Sequence, residues 1–152
     1  MTRTILIACL ATAALGLGAA SAEAGFRINR SMEGVRIGMS QAEVRDRLGR
    51  PARRELGPDF VTWRYRRPPM QVTFKPRVIT LFTRSPFIRG RSDIGVGTSE
   101  RRLRRVVRRL RCETAEAQRL CVVGGFDTGE RSTVFVMRRR QVRSITISLS
   151  TP

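Results

Sequence analysis

The sequence predicts an α+β protein built from two tandem repeats, each a capped helix followed by an antiparallel β meander. Three observations predict it. Val35-Arg36-Ile37-Gly38-Met39-Ser40 lines up with Ile94-Gly95-Val96-Gly97-Thr98-Ser99, and the same offset places Val44 on Leu103 and Leu48 on Val107. In both blocks an apolar residue and a glycine precede a serine able to cap a helix. After each helix, apolar and polar residues alternate with the period of two that marks a half-buried strand.

The first helix is announced by Ser40-Gln41-Ala42-Glu43, a capping box with Ser40 as N-cap and Glu43 at N3. Val44 and Leu48 form its apolar i, i+4 pair, with Ala42 a weaker third position, and Gly49 and Pro51 stop it. Val61, Trp63 and Tyr65 then alternate with Thr62, Arg64 and Arg66, which puts both large aromatics on the core face. Met70, Val72 and Phe74 alternate with Gln71, Thr73 and Lys75, beyond an Arg67-Pro68-Pro69 turn, and a third run covers Arg77 to Thr83. The second helix starts at Ser99, with Glu100 favouring the positive helix N-terminus; Arg102 stands where a capping box needs an acid. Leu103, Val106, Val107 and Leu110 give it an apolar stripe that runs on to Arg111. Strands follow at Leu120–Val123, Thr133–Met137 and Val142–Leu149.

These elements divide the chain into a leader at 1–24, a lead-in at 25–33, a first repeat at 34–85 and a second at 86–152. Each repeat is small for an independent core, so the two are expected to share one or to pack edge to edge. Arg3, the apolar run Ile5 to Ala20 and the small residues after it read as a secretory signal. Cleavage follows Ala20-Ser21-Ala22 or Ala22-Glu23-Ala24. The apolar run is too short and too rich in Ala and Gly for a membrane span, so the mature chain is not expected to cross a membrane. Leu6-Ile7-Ala8-Cys9 has the order of a lipoprotein cleavage box, but cutting there would leave a very short leader and an apolar new N-terminus. With Cys9 removed, Cys112 and Cys121 remain, an even pair that in an exported chain predicts a structural disulfide.

Basic residues dominate. There are 30 Lys+Arg against 12 Asp+Glu, giving a net charge of +18, and every basic residue except Lys75 is arginine. Cleavage after Ala24 removes Arg3 and Glu23 together and leaves that charge unchanged. Two groups of cations are candidate contacts for an anionic partner. Arg101, Arg104, Arg105, Arg108 and Arg109 lie on the outer face of the second helix, and Arg64, Arg66 and Lys75 lie on the polar face of the first sheet. Arg138-Arg139-Arg140 marks a hairpin tip. A positive face of this kind accelerates encounter with acidic partners and makes binding salt-dependent.

Catalysis and cofactors are not expected. The 152-residue chain has no histidine, which removes His-based triads and His-ligated zinc. The acidic residues are scattered, with no pair marked as acid and base. Ser40 and Ser99 stand outside any G-x-S-x-G nucleophile turn and have caps to make. Gly95-Val96-Gly97 lacks the third glycine of a dinucleotide loop, and two cysteines without other soft ligands do not predict a metal site.

Gly38-Met39-Ser40-Gln41-Ala42-Glu43-Val44, continued by Leu48-Gly49-Arg50-Pro51, resembles the opening of the exported small-protein-A and outer-membrane-lipoprotein-A type of domain. Gly97-Thr98-Ser99 with Leu103 and Val107 reads as a degraded second copy. Paired copies also resemble beta-lactamase inhibitory protein, which is built from two helix-plus-sheet repeats. The resemblance implies a noncatalytic extracytoplasmic protein that works by binding another macromolecule. The resulting expectation is an exported binding or adaptor protein, periplasmic or secreted, that recognises an acidic macromolecular surface in the cell envelope. The alternative is a charge-driven binder of lipopolysaccharide or anionic lipid without a unique protein partner. No small-molecule substrate is evident, and nucleic acid is expected to bind only nonspecifically.

Overall fold

The computed structural model describes residues 24–152; the expected signal segment, its cleavage after Ala22, and Cys9 lie outside them. Three two-residue strands, Phe26–Arg27 (β1), Ser31–Met32 (β2) and Val35–Arg36 (β3), form a small antiparallel sheet in that order. The chain continues through helix Gln41–Leu48 (α1) and strands Arg53–Leu56 (β4), Val61–Arg66 (β5), Pro69–Phe74 (β6) and Val78–Thr83 (β7). A 3-10 turn at Arg91–Asp93 leads to helix Glu100–Val106 (α2) and strands Arg111–Ala115 (β8), Gln118–Gly124 (β9), Arg131–Arg138 (β10) and Gln141–Leu149 (β11).

The eight later strands form one antiparallel sheet, in the order β4-β5-β6-β7-β11-β10-β9-β8. This corrects the expected fold class. Of the described residues 47% are strand and 14% helix, so the molecule is mostly β and not an α+β pair of helix-plus-meander repeats. The physical reason is the join between β7 and β11, where Thr80 faces Ser148, Leu81 faces Ile147, Phe82 faces Thr146 and Thr83 faces Ile145. Once those two strands share a ladder, the sheet is continuous from edge to edge. The helices are two-turn lids on its surface. Strands at β4 and β8, which sequence reading did not find, supply the two edges.

Both helices are fixed by their first turns. Ser40 Oγ accepts from the Glu43 amide at 3.3 Å and the Ser40 amide donates to Glu43 Oε2 at 2.7 Å, completing the capping box. Glu43's carboxyl is held below its ordinary range, chiefly by the Ser40 amide. Just upstream, Gly38 has φ 92°, a left-handed conformation that glycine adopts freely. There the Gly38 amide reaches Val78 O and the Val78 amide reaches Met39 O, both at 2.8 Å. Gly97, at φ 90°, lets Gly97 and Thr98 make the same exchange with Val142, and Ser99 Oγ accepts from the Arg102 amide at 3.3 Å.

α2 stops at Val106, so the helix expected to reach Arg111 is about a turn shorter. Val107 is extended, Arg109 is left-handed at φ 58°, and Arg111 already belongs to β8. Leu103 and Val107 are buried, Val106 is exposed and Leu110 half-buried.

One face of the large sheet carries the core. Trp63, Val72, Phe74, Leu81, Cys121, Phe135, Ile145 and Ile147 are buried with Val44 of α1, Leu103 of α2 and Phe26, Met32 and Val35 of the small sheet. Phe26 meets Phe135 edge-on at 6.2 Å, and Trp63 packs on Phe74 at 4.7 Å. The aromatics Trp63 and Tyr65 are thus interior, as their alternation with arginine predicts. Ala42, by contrast, is exposed and Leu48 only half-buried. Asn29 ties the small sheet down: its amide donates to Thr133 Oγ1, and that hydroxyl donates back to Asn29 Oδ1, each at 2.7 Å.

Candidate functional site

Among the described residues no helix covers the sheet face opposite the core, since α1 and α2 pack into the core through Val44 and Leu103. Strand register sets its side chains in rows, because residues directly paired across an antiparallel ladder point the same way. One row runs Arg53, Arg64, Gln71, Phe82, Thr146, Val134, Val122 and Arg111. A neighbouring row is made of hydroxyls: Thr62, Thr73, Thr80, Ser148 and Ser132. Within it Thr62 and Thr73 are 3.0 Å apart, as are Ser132 and Ser148. The face is therefore neutral in its middle; its β4 edge carries Arg53 with Glu55, and its β8 edge Arg111 with Glu113.

Toward the β4 edge the face deepens into a cleft of about 740 Å³. Arg53, Arg64, Arg66 and Arg84 stand around it, over a floor and rim that include Phe82, Pro69 and Phe87. None of the lining residues is acidic. Arg84 lies over the Phe82 ring at 5.5 Å, a cation–π contact that holds the guanidinium beside an apolar surface. Arg64 and Arg53 both reach Glu55, at 2.8 and 3.3 Å, which orders their side chains next to the cleft.

The rim is built by hydroxyl groups. Thr83 Oγ1 donates to Pro69 O at 2.8 Å and accepts from the Ser85 amide at 3.0 Å; Ser85 Oγ then accepts from the Phe87 amide at 3.2 Å. Thr83 and Ser85 are buried. These side-chain turns reverse the chain after β7 and leave Phe87 86% exposed at the cleft mouth. At the inner end, burial pushes the Tyr65 phenol up to about 12, against a small opposite pull from Arg45. It stays protonated and donates to Gly49 O at 3.3 Å, holding the end of α1 on the sheet.

The expected contact residues separate into two places. Arg64 and Arg66 are in the cleft. Lys75 is not; it pairs with Asp59 at 2.8 Å and reaches Pro152 O at 3.4 Å. Lys75 lowers the Asp59 carboxyl by hydrogen bond and charge. Arg101 and Arg104 line a separate depression with Ser99, Glu100, Arg119 and Arg140. Arg105 is exposed on α2, and Arg108 and Arg109 are exposed in the turn after it, not on a helix. Sequence reading missed Arg53, Arg84, Phe82 and Phe87. The one local signal concerned Phe82 and Arg84, whose spacing of two puts both on one face where β7 runs into the segment read as a connection.

Glu100 organises the second place. Arg119 donates to it at 2.6 and 2.9 Å and Arg104 at 3.1 Å. The Arg119 hydrogen bond, opposed by burial and helped by Arg104, holds its carboxyl down to about 2. Cys112 and Cys121, directly opposed on β8 and β9, form the disulfide expected of an even pair in an exported chain. Their sulfurs lie within 4.8 Å of a Glu100 oxygen, but disulfide sulfurs are not thiolates and the carboxylate is already taken by arginine. Asn29-Arg30-Ser31 has the order of a glycosylation sequon; here the Asn29 Oδ1 accepts from Thr133 and Ser31 is buried.

No family model and no curated protein matches the chain. Two solved structures share its fold. An extracellular protein containing an SCP domain from Bacillus anthracis aligns with a TM-score of 0.55 at 10% identity, over 74% of this chain and 44% of that one. A cysteine-rich secretory protein from Staphylococcus aureus aligns with a TM-score of 0.51 at 8% identity, again over 74% and 44%. The chain spans less than half the length of either protein. These similarities replace the expected kinship with small-protein-A, outer-membrane lipoprotein A and beta-lactamase inhibitory protein. At such identities they concern the fold alone. Among the described residues no helix is long and apolar enough to cross a membrane.

Proposed function

We propose that this chain is an exported, noncatalytic adaptor that holds an acidic protein surface of the cell envelope against the open face of its sheet. The observation that carries the reading is the cleft walled by four arginines, of which Arg53 and Arg64 are paired with Glu55 beside it while Arg66 and Arg84 stand in a described lining that holds no acid. Arginine suits this task because its planar fork meets a carboxylate with two parallel hydrogen bonds. A net charge of +18 adds long-range attraction for any acidic partner. Export is supported by the leader-like N-terminus and is consistent with fold relatives described as extracellular and secretory.

The test is capture from an envelope extract by the oxidised protein, washed stepwise to about 0.5 M salt, where screening shortens to a few ångströms. Retention of one protein through the last wash, lost on changing Arg66 and Arg84 to Gln, is the expected result. Release of lipopolysaccharide, lipid or nucleic acid alone at modest salt would replace the adaptor reading with a charge-driven one. That second reading draws on the exposed Arg101, Arg105, Arg108 and Arg109 around α2, so glutamines there would then abolish binding while cleft variants would not.

A further inference from the structure

Resting on the adaptor reading, we infer that the cleft takes an extended peptide segment in which carboxylates flank an aromatic or aliphatic side chain. A site for charge alone would present guanidiniums on a polar surface. Here Arg84 is stacked on Phe82, and Phe87 stands almost fully exposed beside it. Phe87 is not left over from a poorly filled core. The Thr83 and Ser85 hydroxyls fix its backbone through consecutive hydrogen bonds, so its presentation at the cleft mouth is built in. An exposed apolar group held this way contributes to affinity only against an apolar group of the partner.

The spacing fits an extended chain lying across the strands. Arg64, Gln71 and Phe82 are consecutive in one row, two inter-strand steps or about 10 Å from end to end, and Arg84 is two residues along the chain from Phe82. In an extended peptide, residues i and i+4 lie on one face about 13 Å apart, with i+2 between them. A carboxylate at i then meets Arg66 beside the Arg64–Glu55 pair, the apolar side chain at i+2 settles on the Phe82 and Phe87 rings, and the carboxylate at i+4 reaches Arg84, whose guanidinium lies over the Phe82 ring. Gln71, in the middle of the row, is left to hydrogen-bond the peptide's main chain.

Fluorescence anisotropy with the oxidised protein and a labelled synthetic peptide, Asp-Ser-Phe-Ser-Asp flanked by glycines, tests this. Replacing its Phe by Ser is expected to weaken binding about tenfold, and Phe87→Ala on the protein should do the same. Arg66→Gln with Arg84→Gln should weaken it more than tenfold, each lost charge-assisted hydrogen bond being worth about that factor. Unchanged far-ultraviolet circular dichroism would show that the variants keep the sheet. Equal binding of the Phe and Ser peptides, or of oligoglutamate and polyphosphate as well as the Phe peptide, would overturn the inference while leaving an acidic partner in place. Failure of all these probes together with failure of the envelope capture would overturn the adaptor reading itself. Binding that survives the cleft variants but is lost with glutamines around α2 would also overturn the inference.

Discussion

Glu100 sits between two guanidiniums, bonded to Arg119 of β9 and Arg104 of its own helix, with 13% of its side chain exposed. Folding lowers its pKa from 4.5 to about 2, so its contribution to stability is complete above pH about 4.5 and is lost as pH falls toward 2. Both arginines are more than a third exposed, and water screens part of the interaction, leaving about 1–2 kcal/mol. Glu100→Gln should therefore lower the melting temperature at pH 7 and flatten the acid limb of the stability curve between pH about 4.5 and 2. Thermal melts across that range check both. A second residue-scale expectation concerns the first helix, where Ser40→Ala removes the acceptor of the capping box and should cost about 1 kcal/mol. Denaturant midpoints of the variant read that loss directly. Ser40, Glu43 and Ser99 were legible as caps because a cap is a local arrangement of a few adjacent residues.

The elements were less evenly legible. β5 and β6 announce themselves by alternation over six residues and β11 by the alternation from Ile145 to Leu149, whereas β7 reads only as a run of strand-forming residues. The end of α2 does not. Leu103, Val106, Val107 and Leu110 have helical spacing, yet the chain leaves the helix because Arg111–Ala115 must be extended to pair with β9 and set Cys112 against Cys121. Tertiary pairing there outweighs a local preference that is weak per residue. β8 is an edge strand, paired on one side only, so the disulfide is its main restraint beyond the ladder. Replacing both cysteines by serine should cost about 2–3 kcal/mol on the loop-entropy scale. Hydrogen exchange should accelerate first at Arg111–Ala115 and leave the amides of β7 and β11 protected; equal acceleration across the sheet would contradict this account.

At the scale of the molecule, the pairing of β7 with β11 makes a single folding unit of what the chain presents as two similar stretches. Ile145 and Ile147 are fully buried at that join, opposite Thr83 and Leu81 and in one core cluster with Val44 and Leu103 of the helices. Ile147→Ala should cost about 2–5 kcal/mol and lower one cooperative transition, seen identically by the circular dichroism of the sheet and by Trp63 fluorescence on the far side of the join. Two separable transitions would mean that the halves fold independently. The large positive charge acts against the same unit by self-repulsion, so salt near 0.5 M should raise its melting temperature while weakening encounter with acidic partners.

The amino-acid sequence by itself determined the helix caps, the cysteine pair, the burial of Trp63 and Tyr65, the basic charge and most of the strands. All of these follow from residues adjacent in the chain or from composition. The tertiary structure alone decided which strands meet at the centre, where α2 ends, and which arginines share a cleft. Arg53, Arg66 and Arg84 come from three different strand ends, and Lys75 goes elsewhere, because neighbourhood in a sheet is set by long-range register. That register is fixed by burying one whole face at once, and no local period reports it.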